Sequence, residues 1–129
     1  MVQDVQTSRD TLTEQVIGCA IEVHRILGPG LLESAYQRCL ALELRKQGLL
    51  VETEVPMPVQ YKKEVLDCGY RADMLVENTL ILELKAVDAL LPVHQAQILT
   101  YMKLSDIHLG LLMNFHQRRL IDGLKRFVL

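Results

Sequence analysis

No apolar run in this 129-residue sequence approaches the length of a membrane span. The opening "MVQDVQTSRD" also lacks the apolar region of a signal peptide. These two absences lead to the expectation of a cytoplasmic protein with no membrane partner. Cysteine is scarce: Cys19, Cys39 and Cys68 are odd in number, far apart and without CxxC spacing. A disulfide framework or a zinc site is therefore not expected, and the spacing predicts buried free thiols. A dominant charge of one sign is lacking as well. The net charge is −2, which excludes a polyanion binder that works by overall charge alone. There is no internal repeat, linker or low-complexity segment.

Half of the residues are hydrophobic, and the length is that of one domain, so residues 1–129 are expected to bury a single core. Charge is unevenly spread. Residues 1–85 carry 9 Lys or Arg against 13 Asp or Glu, a balance of −4, and residues 86–129 carry 5 against 3, a balance of +2. The later third also holds three of the four histidines. This permits a nucleic-acid partner on one side.

Periodicity predicts a first helix over "TLTEQVIGCAIEVHRIL", with Leu12, Val16, Ala20, Val23 and Leu27 on one stripe and Thr11 with Glu14 as a capping box. "GPG" at 28–30 breaks it, and a second helix is expected from about Leu31 to Gln47. "LVETEV" and "MPVQYK" read as strands, the proline placing the latter near an edge. "LDCGYRADMLVE" and "LILELKA" read as an antiparallel hairpin turning at "EN". Pro92 opens a third helix to about Leu104, "IHLGLLMNF" reads as a buried strand, and "LIDGLKRFVL" as a last strand or turn and strand. The order predicts an α/β fold, a mixed central sheet flanked by helices.

In "LILELKA", residues 80, 82, 84 and 86 form an apolar face. Glu83 and Lys85 share the other, about 7 Å apart at roughly 3.4 Å rise per residue. The hairpin would set Asp73 beside Glu83. Two adjacent carboxylates repel unless a proton or cation lies between them, and such oxygens suit Mg²⁺ or Mn²⁺. A solvated polar strand pair is the plainer alternative. On the third helix His94, Gln97 and Tyr101 share one face, while Ala96, Leu99 and Met102 are free to supply core contacts. That polar stripe suits solvent as well as a site. Glu33 heads the second helix on a stripe continued by Tyr36, Leu40 and Leu44, where the helix dipole alone would favour a carboxylate.

Taken together, Asp73 followed by "ELK" at 83–85 resembles the D…(D/E)xK signature of the PD-(D/E)XK nuclease superfamily. "QILTY" at 97–101 is similar to the QxxxY motif of its RecB-type and lambda-exonuclease-type branches. "GLLESAY" at 30–36 matches the motif of the GxxExxY family through Gly30, Glu33 and Tyr36. One departure is that Ala72 stands where the superfamily usually has proline before the aspartate.

The resemblance implies a restriction-endonuclease-like core and metal-dependent hydrolysis of phosphodiester bonds, in DNA ahead of RNA. Asp73 and Glu83 would be the metal ligands, with the backbone carbonyl of Leu84 as a third donor. The metal would be Mg²⁺ or Mn²⁺. Lys85 would be the catalytic lysine, Glu33 the helix carboxylate that helps hold the metal, and Gln97 and Tyr101 would line the site. The alternative is a non-catalytic nucleic-acid-binding or protein-interaction module that keeps a nuclease-like site. Under either reading, a domain this small with no DNA-gripping extension would use a homodimer or a protein partner to complete a groove.

Overall fold

The computed structural model describes the backbone of residues 2–129 and the side chains from Asp10 onward. Helices α1 (Val2–Leu27) and α2 (Glu33–Lys46) come first. Strands β1 (Val51–Pro56), β2 (Val59–Tyr61), β3 (Glu64–Leu66), β4 (Arg71–Val76) and β5 (Leu80–Lys85) follow. Then come α3 (Pro92–Ser105), β6 (Leu109–Asn114), a 3₁₀ turn (Leu120–Gly123) and β7 (Leu124–Val128). Five strands form one mixed sheet in the order β1-β4-β5-β6-β7, while β2 and β3 pair only with each other. Only the β5–β6 pairing is parallel, and α3 is the crossover that makes it so.

Helices cover both faces of the sheet. On one face Leu80, Leu82 and Leu84 bury against Val16, Ala20, Tyr36, Leu40 and Leu44 of α1 and α2. On the other, Ile81 and Leu112 bury against Ile98, Tyr101 and Met102 of α3. Gly110 lets α3 sit this close, since a Cβ there would lie 2.7 Å from Met102 Sδ. The alternating face of β5 that could have been solvated is therefore roofed: Ile81 is fully buried and Glu83 is 2% exposed. Among the described residues, no helix is long and apolar enough to cross a membrane.

Several expectations change. α1 starts at Val2, so Thr11 lies inside it and caps nothing; no Gly or Pro in residues 2–10 interrupts the helix before that point. α2 begins at Glu33, two residues later than expected, because Gly30 takes φ 106° and Leu32 is extended. The strand expected over residues 66–77 is shorter, β4 at Arg71–Val76, and Leu66 instead ends the unanticipated β3. Asp67 Oδ1 accepts the Gly69 N–H at 2.9 Å in a tight turn, with Gly69 at φ 79°, and this separates β3 from β4. Of the three free thiols only Cys19 is buried; Cys39 is half-buried and Cys68, in that turn, is exposed. Ala96 faces outward, and Ile98 takes its place in the core.

Tyr36 ties the two ends of the loop between α1 and α2. The Tyr36 hydroxyl donates to the Gly28 carbonyl at 2.5 Å and accepts the Leu31 N–H at 3.1 Å. Its ring is stacked on Phe115 at 4.5 Å between centroids. The tyrosine of "GLLESAY" thus sets the angle at which α2 presents Glu33. Removing the hydroxyl leaves a carbonyl and an amide without their partner, so Tyr36→Phe should cost about 1–3 kcal/mol while the stacked ring stays. Urea unfolding measures this, and an unchanged midpoint would show that the hydroxyl does not hold the loop.

Candidate active site

β4 and β5 pair backbone to backbone at Val76–Leu80, Leu75–Ile81 and Met74–Leu82. Asp73 and Glu83 come next in that register. There the side chains take over the ladder: the Asp73 N–H donates to Glu83 Oε1 at 2.9 Å, and the Leu84 N–H donates to Asp73 Oδ2 at 2.8 Å. Each carboxylate thus satisfies an amide of the opposite strand, and the two acids are held facing one another.

Burial pushes the Glu83 carboxyl up to about 8, and the facing Asp73 carboxylate adds to the rise. Asp73 is also raised, first by burial, with Glu33 and Glu54 adding to it. The amides and the nearby Lys85 ammonium oppose both shifts without cancelling them. The pair therefore favours a shared proton or a bound cation over two bare charges.

Lys85 donates from Nζ to Gln97 Oε1 at 2.9 Å, and Gln97 Nε2 donates to the Tyr101 hydroxyl at 3.1 Å. Strand β5 and helix α3 are tied by this chain, so Gln97 and Tyr101 face inward onto Lys85. Burial raises the Tyr101 hydroxyl, keeping it protonated. Glu33, exposed at the start of α2, accepts the Ala86 N–H at 3.3 Å, one residue beyond Lys85. All six residues singled out from the sequence therefore gather around the end of β5. His94 instead serves the helix that carries it: its Nδ1 accepts the Leu91 N–H at 2.9 Å and so closes the first turn of α3.

Three contributors were not anticipated. Gln37, one turn after Glu33 on α2, donates to the Asp73 carbonyl at 3.2 Å and to Glu54 Oε1 at 3.0 Å. Its i+4 spacing from Glu33 was the available signal. Glu54 stands opposite Asp73 in the β1–β4 register and takes φ 53° in mid-strand. No sequence pattern announces that. Buried Asn114 clasps the backbone of Val87 through both ends of its amide, at 3.1 and 2.8 Å, and fixes the loop leaving β5.

Two hard carboxylate oxygen donors fit a divalent cation of the Mg²⁺ or Mn²⁺ type rather than a soft-ligand metal. Among the described residues, no group of three or more His, Cys, Asp or Glu is gathered closely enough to hold a metal alone. Remaining positions would fall to water, substrate or backbone oxygen.

The electrostatics fix a pH dependence. A carboxyl raised from 4.5 to about 8 binds its proton more tightly in the folded than in the unfolded chain. Stability therefore falls as pH rises from about 4.5 to about 8 and then levels off, by on the order of a few kcal/mol across the window. Glu83→Gln keeps the acceptor for Asp73 N–H and removes the charge. Thermal melts in EDTA should show the variant gaining on wild type as pH rises, whereas parallel pH profiles would contradict the assigned strain.

A model of the PD-(D/E)XK nuclease superfamily matches residues 10–127, a span containing both carboxylates, the lysine and the α3 pair. Neither comparison with curated proteins nor comparison with solved structures gives a match. Nucleases of this superfamily generally use divalent metals, and the family implies a nucleic-acid substrate. With a mixed sheet flanked by helices and a match over nearly its whole length, the chain belongs to the PD-(D/E)XK nuclease superfamily.

Proposed function

We propose that this protein is a metal-dependent nuclease that hydrolyses phosphodiester bonds, in DNA ahead of RNA, with Mg²⁺ or Mn²⁺ as its metal. The observation that carries the reading is the facing Asp73–Glu83 pair, with Glu83 buried and Lys85 two residues along the same strand. Asp73 and Glu83 are the proposed ligands, aimed by the amides of each other's strands. When bound, the cation polarises the phosphate and lowers the pKa of water. Lys85, steadied by Gln97 and Tyr101, supplies positive charge where phosphoryl oxygens gain negative charge. Glu33 braces the Ala86 amide and adds negative potential toward Asp73. Gly30, Glu33 and Tyr36 support placement in the GxxExxY group, and a single catalytic unit over residues 1–129, in the cytoplasm, belongs to the same proposal.

A second reading has its own observation. Both carboxylates already serve the strand pairing, and no three-residue metal group exists among the described residues. A binding module, alone or with a homodimer or protein partner, would keep such a pair for structure alone.

One comparison separates the two: Mg²⁺- or Mn²⁺-dependent cleavage of single- and double-stranded DNA and RNA by wild type and Lys85→Ala. Removing a preorganised cation beside the phosphate should slow cleavage by at least ~10²-fold. Nucleic-acid affinity should change little, because Lys85 is one cation among several. The fold should survive with a lowered melting point, because Leu82 and Leu84 supply the core face of β5 while Lys85 supplies the tie to Gln97. Cleavage that survives the substitution would mean the site is wrongly assigned. No cleavage by wild type under any metal, with intact binding, would favour the module.

A further inference from the structure

A cleft of about 650 Å³ opens directly beside Lys85, between α3 and the β2–β3 hairpin. Its volume falls within the roughly 300–1,000 Å³ of small-molecule clefts, far more than a cation or a phosphate needs. Val59 of β2 and Val93 and Leu104 of α3 give it apolar walls. Tyr70 and Tyr101 meet in it at 6.4 Å between ring centroids and 55° between planes. A flat ring entering that corner meets one tyrosine with its face and the other with its edge, both favourable aromatic arrangements. Thr100, His94 and Gln97 place hydrogen-bonding groups along the α3 side.

We propose that this cleft receives one unpaired nucleobase of the strand whose phosphate meets Lys85. The inference rests on the nuclease reading for the position of that phosphate. Since Lys85, Gln97 and Tyr101 belong both to the cleft and to the site, a nucleotide held there by its phosphate has its base within reach of the aromatic corner. Apolar walls with a few polar groups suit a base and not a phosphate. A base inside a duplex is paired and stacked, and must leave the helix to enter. The substrate class is therefore single-stranded nucleic acid or a frayed or flap end. The hairpin that forms one wall also exposes Lys62 and Lys63 beside Tyr61, with Lys62 Nζ 5.5 Å from the Tyr61 ring centroid, a place for the backbone of the same strand.

Tyr70 is the probe, because it is half-exposed and holds neither carboxylate nor Lys85. Binding is measured by fluorescence anisotropy, with Ca²⁺ present so that cleavage is slow. The ligands are a short oligothymidylate and an abasic phosphodiester chain of equal length and charge. Wild type should prefer the chain with bases. Tyr70→Ala should weaken oligothymidylate binding by about tenfold, the loss of one stacking ring, and leave the abasic chain unchanged. Tyr70→Phe should bind as wild type. Ala96→Trp fills the cleft from an exposed helix position and should reproduce the Tyr70→Ala loss without removing any packing.

Equal weakening of both chains, weakening of neither, or no binding of either by wild type would overturn the base subsite. A protein that discriminates between the chains yet cleaves nothing keeps the subsite and loses the nuclease. One that cleaves through Lys85 but treats both chains alike keeps the nuclease and loses the subsite.

Discussion

Past Met74 and Leu82 the backbone ladder between β4 and β5 gives way, and two carboxylates take its place. An Asp73 amide that would otherwise be orphaned is satisfied by Glu83, and a Leu84 amide by Asp73. Neither acid can leave without exposing a buried donor on the opposite strand. Burial raises both, and the Asp73 charge raises Glu83 further, so the arrangement favours a proton or a cation between them. The same two bonds thus extend the strand register and fix the position of both acids.

The surrounding structure serves to keep that pair in place. β5 lies between β4 and β6 in the sheet, with α1 and α2 beneath it and α3 above. Burial raises both carboxyls, and α3 lies over their face of the sheet. At the far end of β5, Phe115 N–H donates to the Lys85 carbonyl at 2.8 Å, and Asn114 holds Val87. Tyr36 and Gln37 do similar work from α2, one on the loop that leads into Glu33 and the other on the Asp73 carbonyl. Each is a local hydrogen bond made by a side chain whose ring or helix is already anchored in the core.

Which parts were legible in the sequence follows from the range of the interactions. Periodicity within one element carries the stripe Val16–Ala20–Val23, the apolar face of β5 and the α3 face holding Gln97 and Tyr101. The β4–β5 hairpin is local as well, since Glu77 and Asn78 both take left-handed turn conformations, so the facing of Asp73 and Glu83 could be anticipated. What could not be anticipated depends on chain segments far apart. The burial of Glu83 needs α3 laid over β5, and a polar face under a helix reads the same as one under water. Asn114 looks like the polar end of an apolar strand until Val87 is brought to it. Tyr70 reads as part of a strand in the sequence, and it belongs to an aromatic corner only once it meets Tyr101. The capping signature at Thr11 failed for the converse reason: a local signal was present, and nothing upstream required the helix to stop.

The placement of Lys85 carries the last step. A lysine directed at Glu83 would neutralise the acid pair and be neutralised by it, giving a closed ion pair of structural use only. Here its ammonium donates instead to the amide oxygen of Gln97, a neutral acceptor, which in turn donates to Tyr101. The lysine is held in position while its charge is kept. Strands β4 and β5 therefore present an acid pair that favours a proton or a cation, next to an ammonium held by a neutral group. A phosphodiester with its metal would complement both together, with negative oxygens toward Lys85 and the metal toward Asp73 and Glu83. The cleft on the α3 side is lined by Lys85, Gln97 and Tyr101 and by neither acid. That leaves room for the uncharged part of a nucleotide on the side where charge recognition ends.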